Sequence, residues 1–473
     1  MQQKSLKKNA FYSFLKSFLS LVFPIITFPY ASRILLPEGI GKVNFANSVI
    51  SWFVILAGLG ITGYAGREAS RKRNDEYAIA KLTKEIFIIN GISTIVAYSL
   101  FILSFLFVPK FVSYRSLLLV CSIKIFFTTF GVDWIYNAFE EFRYKTIRSF
   151  VFQVLALVFL FLFVHSEKNV IAYAIFGLIS NVGSNIFNLI HSRKFINFKL
   201  KTTIELKQHV KPIFIFWGIS LVTSIYSILD TSMLGFFSTN EQVGYYSAAT
   251  KINHMVLSML GAIGIVLLPR LSYLIEKGEM GTFESLARKS LCVIMLLAFP
   301  MAAGLFLLSD KIVILLSGEQ YAQAIIPMKI ITPIIVFISI GNILGSQILP
   351  VLKKEKIALC SYIFGATCNI ILNSILIPQY GALGAAIGTL VAEFSVVIFQ
   401  AISLNVLVLE KEIFINFMQV LICTAIMVIG VSVLLVFLKS NLLFQILCSS
   451  FFGACIYGVS LFLIRNKYFI EYM

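Results

Sequence analysis

Fourteen apolar stretches, each long enough to cross a membrane as a helix, constrain this chain more than any other feature. A helix needs roughly 20 mostly apolar residues to cross the hydrocarbon of a bilayer, and a helix satisfies its backbone polar groups internally where no water can. We therefore predict an all-α polytopic membrane protein of about 14 transmembrane helices. The stretches lie near residues 10–35, 43–65, 85–108, 116–137, 147–164, 170–190, 212–236, 244–268, 290–309, 324–350, 357–378, 382–405, 415–438 and 442–464.

The composition leaves little room for a soluble domain. Of the 473 residues, 59% are hydrophobic and only 13% are charged, whereas soluble domains carry about 25% charged residues. No loop between the stretches is large enough for an enzyme domain, so we predict that the protein is not an enzyme and has no catalytic residues. The seven cysteines form no C-x-x-C pair, and we predict neither a metal site nor a cofactor.

The formal net charge of +17 is explained by topology. With the N-terminus in the cytoplasm, 28 of the 39 basic residues fall in cytoplasmic segments and seven fall in outer loops or their margins. Basic loops resist translocation across an energised membrane, so both termini are predicted to be cytoplasmic. The charge is therefore not interpreted as a nucleic-acid footprint.

Two of these cytoplasmic segments, around 191–211 and 270–289, are basic and about twenty residues long. Basic amphipathic segments of this kind lie against anionic lipid. We expect short interfacial helices in both.

An internal repeat predicts the domain organisation. A shift of 203 residues aligns Glu38 with Glu241, Gly41 with Gly244 and Arg67 with Arg270 without a gap. Six helices then follow the same in-and-out path twice, as in a parallel repeat. We predict an N-terminal six-helix lobe at 1–211, a C-terminal six-helix lobe at 212–410, and two additional helices at 411–473.

Polar side chains inside the apolar stretches mark candidate sites, because charged groups at membrane depth are costly unless they are paired or hydrated. Lys251 and His254 share one helix face with two serines, and this polar stripe is expected to border a water-filled cavity. The 203-residue shift places Asn44 and Ser48 at the equivalent face of the first lobe. We therefore take these four residues as candidate substrate-binding residues.

Three further ionisable residues lie deep in predicted helices. Lys124 is placed near mid-membrane, and Glu393 near the centre of its helix is a candidate proton or cation site. Asp230 and Lys251 lie at similar depth on either side of one outer turn. Their pairing is either a structural salt bridge or a switch that a substrate or coupling ion opens.

Three motifs carry a resemblance to a known family. The chain resembles the polysaccharide biosynthesis transporters, above all the O-antigen flippases, the Wzx-type branch of the multidrug/oligosaccharidyl-lipid/polysaccharide superfamily. The resemblance covers the first twelve helices, and many members of the family have only twelve. The motifs are P-Y-A-S-R-I-L-L-P-E-G-I-G at 29–41, E-x-V-G-Y-Y-S-A-A-T-K-I at 241–252 with L-L-P-R at 267–270, and L-I-P-Q-Y-G-A-L-G-A-A-I-G-T-L-V-A-E at 376–393.

The resemblance implies two six-helix lobes in a MATE-like V that open alternately to the two sides of the bacterial cytoplasmic (inner) membrane. The implied substrate is an undecaprenyl-pyrophosphate-linked oligosaccharide of O-antigen (lipopolysaccharide) or capsule type, flipped to the outer leaflet. A cationic lumen is also implied, for which Arg33 and Lys251 lie inside the motifs, while Lys124 is assigned from depth alone. An H⁺ or Na⁺ gradient, acting at Asp230 or Glu393, would drive transport, and a glycan polymerase is a candidate partner.

Two related transport functions remain open as alternatives. A multidrug cation antiporter calls for a lumen acid on the first helix, yet the charged residues between 10 and 35 are Lys16 and Arg33. A flippase for the peptidoglycan precursor fits 14 helices, but the motifs resemble the O-antigen group more. A membrane glycosyltransferase would need an acidic catalytic centre and a large extramembrane loop, and the sequence shows neither.

Overall fold

A computed structural model describes residues 6–404, 410–438 and 440–471 of the chain. The chain divides into two compact units, Met1–Phe236 and Phe237–Met473. Within the described residues the fold is almost entirely helical, and no strand occurs. The predicted helix end at residue 405 and the basic residues Lys4 and Lys439 lie outside the described ranges. The predicted lobe boundaries at 211/212 and 410/411 stay predictions.

The described residues of the first unit form ten helices, the last of which ends one residue beyond it. They are α1 (Leu6–Gly58), α2 (Ile61–Lys72), α3 (Glu76–Phe107), α4 (Pro109–Ser113), α5 (Arg115–Phe130), α6 (Asp133–Ala138), α7 (Phe142–Phe163), α8 (Val170–Asn181), α9 (Asn185–Ser192) and α10 (Lys207–Phe237).

In the second unit, a 3₁₀ turn (Glu319–Ala324) precedes α14, and a π-helical segment (Asn342–Ile348) continues α15. The α-helices are α11 (Asn240–Glu276), α12 (Met280–Leu307), α13 (Ser309–Ser317), α14 (Ile325–Ile331), α15 (Ile334–Gly341), α16 (Leu349–Val351), α17 (Glu355–Tyr380), α18 (Ala382–Ser403), α19 (Lys411–Phe437), α20 (Leu442–Leu463) and α21 (Lys467–Ile470).

The prediction of a polytopic all-α membrane fold is confirmed. Among the described residues, nine helical segments are long and apolar enough to cross a membrane, and every one of the fourteen predicted stretches overlaps helix. The numbers differ partly because two stretches merge in α1 and because α5, at 16 residues, is short. The exact number of 14 stays a prediction. Large apolar side chains cover the outside, such as Leu106 at 77% and Phe437 at 79% exposure, as expected of a surface that faces lipid.

The expectation of short interfacial helices in the two basic segments is wrong. Residues 193–206 contain no helix, while 270–289 belongs mostly to the ends of α11 and α12. Side-chain bonds hold the first segment instead. The buried Glu85 carboxylate accepts from the backbone N–H of Glu205 at 2.7 Å and lies 2.8 Å from Nε2 of buried His209. Nδ1 of His209 lies 2.6 Å from the Tyr64 hydroxyl, so this Glu85–His209–Tyr64 latch joins α2, α3 and α10.

The last two long helices are fastened to α12 inside the second unit. The Tyr457 hydroxyl of α20 donates to the Leu296 carbonyl at 2.9 Å, and the Asn416 amide of α19 donates to the Cys292 carbonyl at 3.3 Å. Asn466, which lies just before α21, donates in turn to Asn416 Oδ1 at 3.0 Å. These bonds satisfy buried polar groups, so α19 and α20 are an integral part of this unit's helix packing.

The junction of α1 and α2 yields a stability prediction. Gly60 has φ +65°, and a Cβ there would lie 2.5 Å from the Phe216 carbonyl carbon of α10. We expect Gly60→Ala to destabilise the protein by about 2–5 kcal/mol, from the left-handed conformation and the overlap together. The thermal unfolding midpoint of the purified protein measures this.

Gly91→Ala is the matched control, because no atom lies within 4 Å of a Cβ built at this position inside α3. It should leave the midpoint unchanged or raise it slightly, since alanine favours helix. Equal midpoints for the two variants would contradict the close approach of α10 to Gly60.

Candidate functional site

Arg33 lies just before a sharp break in α1. Leu36 has φ 56° and ψ 174° inside the helix, and Pro37 follows it. Proline has no N–H to donate and disfavours helical geometry at the preceding residue, so the local sequence P-E-G explains the break. Arg33 is exposed one turn before this point, which places a cation where the helix changes direction.

Asn44 and Ser48 follow the break on the same helix. Ser48 is buried, and its hydroxyl donates to the Phe45 carbonyl at 2.8 Å, while Asn44 is half-buried. A hydroxyl that donates within its own helix can still accept a hydrogen bond from a ligand. Ser48 can therefore accept from a ligand without breaking this bond, and its role as a binding residue stays a prediction.

Lys124 is half-buried in α5, and the Thr128 hydroxyl one turn later donates to its carbonyl at 2.9 Å. The neighbouring contact between α3 and α5 is polar as well. Thr94 and Thr129 are joined by a hydrogen bond between their hydroxyls, and the Tyr98 hydroxyl donates to the Ser122 carbonyl at 2.7 Å. The sequence reading missed this polar contact because single threonines and tyrosines in apolar stretches carry no periodic signal.

Asp230 is buried in α10 at 5% exposure. Two residues later, the Ser232 hydroxyl accepts a hydrogen bond from the Trp52 indole of α1 at 3.0 Å. Asp230 is therefore held in a helix that is bonded to α1. Asp230 belongs to the first unit and Lys251 to the second, so their predicted pairing stays a prediction.

The polar stripe on α11 has its more exposed members toward the middle of the helix. Lys251 is half-buried, His254 is exposed, and the Ser258 hydroxyl donates to the His254 carbonyl at 2.7 Å. Asn253 was not singled out from the sequence, yet it is fully buried, and its amide donates to the Ala249 carbonyl at 2.9 Å. The stripe of Lys251 and His254 is thus less covered within its own unit than the neighbouring Asn253.

Glu393 of α18 lies at the level of Lys251. The Ala382 N–H donates to Gln242 Oε1 at 2.9 Å, and the Tyr246 and Thr389 hydroxyls lie 3.0 Å apart, so α11 and α18 run side by side in the same direction. One turn beyond Tyr246 and Thr389 come Thr250 and Glu393. This register brings the half-buried Glu393 and Lys251 to one depth on adjacent helices.

A buried polar seam joins α17 to α18. The Gln400 amide of α18 donates to the Ser361 hydroxyl of α17 at 3.0 Å, and within α17 the Asn373 amide donates to Asn369 Oδ1 at 3.0 Å. A Cβ at Gly388 would overlap Asn373 Oδ1, so glycine allows the close approach of the two helices. Such seams hold membrane helices together through small residues and interhelical hydrogen bonds.

A cavity of about 490 Å³ lies between α11, α12 and the π-helical segment. Ser339, Asn342 and Ser346, which recur at helical spacing, line it together with Gln347. In the described part of the chain, Ser339 Oγ and Gln347 Oε1 are buried without a hydrogen-bond partner. Buried polar atoms are normally satisfied, and π-helical turns are frequent at functional sites. This cavity can therefore accept hydrogen bonds from hydroxyl groups of a ligand.

Comparisons with known proteins agree with this architecture. The family model described as polysaccharide biosynthesis protein matches residues 6–275, and the MatE model matches 218–375. The chain is 24% identical over 405 residues to a candidate O-antigen transporter of Shigella dysenteriae, covering 84% of this chain and 99% of that protein.

It is also 24% identical over 393 residues to the capsular polysaccharide biosynthesis protein CapF of Staphylococcus aureus, covering 82% of this chain and 96% of that protein. The solved structure of the lipid II flippase MurJ superposes with a TM-score of 0.76 at 17% identity and covers 97% of this chain and 99% of its own. This structural likeness shows the fold.

The stripe on α11 yields a prediction about water. In a variant whose seven cysteines are replaced by serine, we expect His254→Cys to react with a membrane-impermeant, hydrophilic thiol reagent, because a thiolate forms only where water reaches it. Mass spectrometry of the labelled protein measures the extent of reaction. No reaction at position 254 would contradict a hydrated face on α11.

Thr367→Cys in α17 is the depth-matched control. Both residues are exposed, and each lies fourteen residues from the predicted outer end of its helix, counted from Asn240 or from Gly381. Thr367 faces away from the buried seam, among the exposed residues Ile363, Phe364 and Ile371. We expect it to stay unlabelled in lipid.

Proposed function

The chain belongs to the polysaccharide biosynthesis protein family, and on that premise we propose that it flips a lipid-linked oligosaccharide across the bacterial cytoplasmic membrane. Its relatives are named as transporters, flippases and polysaccharide biosynthesis proteins rather than as glycosyltransferases. The observation that supports an anionic, lipid-linked substrate best is the set of cations within helices: Arg33 at the break in α1, Lys124 in α5 and Lys251 in α11. Both termini would lie in the cytoplasm.

The chemistry of the substrate explains why these cations are needed. A pyrophosphate cannot enter hydrocarbon without losing its hydration, and fixed ammonium and guanidinium groups at membrane depth replace that hydration. Arginine can bind phosphate oxygens in a bidentate manner, whereas lysine acts as a point charge. We infer that Arg33, Lys124 and Lys251 bind the pyrophosphate while the polyprenyl chain stays in lipid.

The oligosaccharide needs hydrogen-bonding groups rather than charge. Asn44, Ser48 and His254 can bond sugar hydroxyls, and Ser339 and Gln347 in the 490 Å³ cavity present oxygen atoms that accept such bonds. Such groups can bind many different sugars. We therefore infer that features shared by the family determine the class of substrate, whereas the residues that line the cavities determine which sugar is bound.

Ion coupling is the finer part of the proposal. Glu393 lies level with Lys251, and we infer that the two form an ion pair. A proton or Na⁺ on the carboxylate would weaken this pair and release Lys251 toward the substrate phosphate. Asp230 is a second acid that can act on Lys251 in the same way. Alternating access then requires only that the ion and the substrate stabilise states that open to different sides of the membrane.

A flippase for a peptidoglycan precursor is the second candidate. One specific observation favours it: the likeness to the lipid II flippase MurJ extends over 97% of this chain, which includes residues beyond the polysaccharide biosynthesis match at 6–275. Both candidates share a polyprenyl-pyrophosphate carrier, and they differ in the glycan. A multidrug cation antiporter fits less well, since Arg33 and Lys251 repel cations.

Deletion of the gene tests the proposed function. We expect lipid-linked oligosaccharide to accumulate in the inner leaflet and surface glycan to disappear, with peptidoglycan synthesis unchanged. When the gene is returned to the deletion strain, the Arg33→Ala and Lys251→Ala variants should each restore at least tenfold less surface glycan than the wild type. Each variant removes a cation that binds the pyrophosphate. Labelling of the lipid-linked sugars with a membrane-impermeant reagent, with protein levels measured by immunoblot, quantifies this.

Lys356→Ala removes an exposed lysine at the start of α17 and should restore export fully. Full export by both lumen variants would overturn the cationic substrate site. Loss of peptidoglycan synthesis on deletion would instead support the second candidate.

The pairing of Lys251 with Glu393 yields a separate prediction. We expect Glu393→Gln to make export by energised vesicles independent of the H⁺ or Na⁺ gradient, or to stop it, while Lys251→Glu combined with Glu393→Lys restores part of the export lost by either reversal alone. Asp230→Asn shifts the pH or Na⁺ dependence if Asp230 is the coupling acid. An unchanged dependence in both the Glu393→Gln and Asp230→Asn variants would exclude both acids as coupling sites.

A further inference from the structure

A large cavity lies in the first unit, beside the segment 193–206 that is bonded to Glu85 of the Glu85–His209–Tyr64 latch. Its volume is about 1110 Å³, many times the ~30 Å³ share of one water molecule in the liquid. Its walls are the first turns of α3, the end of α5, the end of α9 and the irregular segment 193–206. None of the residues assigned to substrate or ion binding above lines it.

The lining of this cavity is both cationic and apolar. Four cationic side chains line it: Lys84, Arg193, Lys194 and Lys199. Among the described lining residues, Glu76 is the single acid. Between the cations lie apolar and aromatic side chains: Phe87, Ile88, Phe130, Phe195, Phe198 and Ile204. In the described part of the chain, Arg193, Lys194 and Lys199 form no ion pair. A ligand that fits such a lining has both an anionic group, such as phosphate, and an apolar part.

The wall formed by residues 193–206 is held in place by specific bonds, although it has no helix. The Lys84 ammonium donates to the Leu200 carbonyl, and the Glu205 N–H donates to Glu85. The Asn197 amide donates to Glu76 Oε1 at 3.2 Å. These bonds attach the segment to α3 at Glu76, Lys84 and Glu85. The cavity lies between the segment and the part of α3 from Glu76 to Ile88, so its wall is held in place without a ligand.

The position of the cavity along α3 matches the edge of a bilayer. Its lining residues on α3 run from Glu76 to Ile88, a rise of about 18 Å, and the predicted membrane span begins at 85. Along α3, Lys84 therefore lies at the predicted border of the membrane, and the apolar Phe87 and Ile88 lie at the start of the hydrocarbon. Positive-inside topology puts this edge at the cytoplasmic leaflet, where anionic lipids attract basic segments.

We propose that this cavity is a binding site for an anionic phospholipid of the cytoplasmic leaflet. Arg193, Lys194 and Lys199 bind the lipid phosphate, while Phe87, Ile88 and Phe130 contact the glycerol and the first part of an acyl chain. Lys84 adds to the positive charge with the N–H donors that Leu200 does not use. A free phosphate ion has the same charge but gains nothing from the apolar half of the cavity.

Lipid retention by the purified full-length protein tests the proposal without any transport assay. Native mass spectrometry compares bound phosphatidylglycerol with bound phosphatidylethanolamine at equal supply. We expect at least a tenfold preference for phosphatidylglycerol in the wild type and less than twofold in the variant Arg193→Gln/Lys194→Gln/Lys199→Gln. These three side chains are exposed, so the variant should fold, and Lys199→Gln alone should show a smaller loss in the same direction.

Lys353→Gln/Lys354→Gln/Lys356→Gln is the matched control, because it removes three exposed positive charges from the same predicted side of the membrane. It should retain the wild-type preference. A similar loss in the control, or no preference in the wild type, would overturn the site. Displacement of phosphatidylglycerol by millimolar inorganic phosphate or pyrophosphate would assign the cavity to a soluble phosphate compound instead.

Discussion

The absence of water in hydrocarbon governs the whole of this structure. Every backbone N–H and C=O within the membrane must find a partner in the protein, and helices provide one for almost every residue. The same constraint applies to side chains. Ser48 and Ser258 donate to carbonyls of their own helices, Asn373 donates to Asn369, and Gln400 donates to Ser361. Polar side chains are therefore tolerated in this fold where a neighbour completes their hydrogen bonds.

Three departures from regular helix coincide with the candidate sites. The break at Leu36 follows Arg33, and the π-helical segment Asn342–Ile348 lines the 490 Å³ cavity. At the end of the first unit, the irregular segment 193–206 forms a wall of the 1110 Å³ cavity. In each place the backbone departs from regular α-helical hydrogen bonding, and side chains or a cavity are accessible to a ligand. The cost of the irregular backbone is offset by local bonds, as Glu85 shows for Glu205.

Positive charge occurs in three separate settings in this chain. Exposed basic residues in the loops are the basis of the predicted topology. Lys145 and Arg148 belong to a predicted cytoplasmic segment, but the structure buries both beside Asp133, with Arg148 Nη2 3.3 Å from the carboxylate. They therefore also hold α6 to α7. The third group, Arg33, Lys124 and Lys251, lies in predicted spans, and these residues are the proposed ligands of the substrate pyrophosphate. Net charge alone does not separate these settings.

Hydropathy, loop charge and the motifs at 29–41, 241–252 and 376–393 were enough to predict a polytopic helical protein, its family and its polar helix faces, because burial in lipid dictates apolar length directly. The tertiary structure alone revealed that Glu393 is level with Lys251, since register between helices 140 residues apart depends on bonds such as Gln242 to Ala382. It also showed that 193–206 is an ordered wall rather than a helix. Both depend on contacts between distant residues, and local sequence patterns do not encode which distant residues meet.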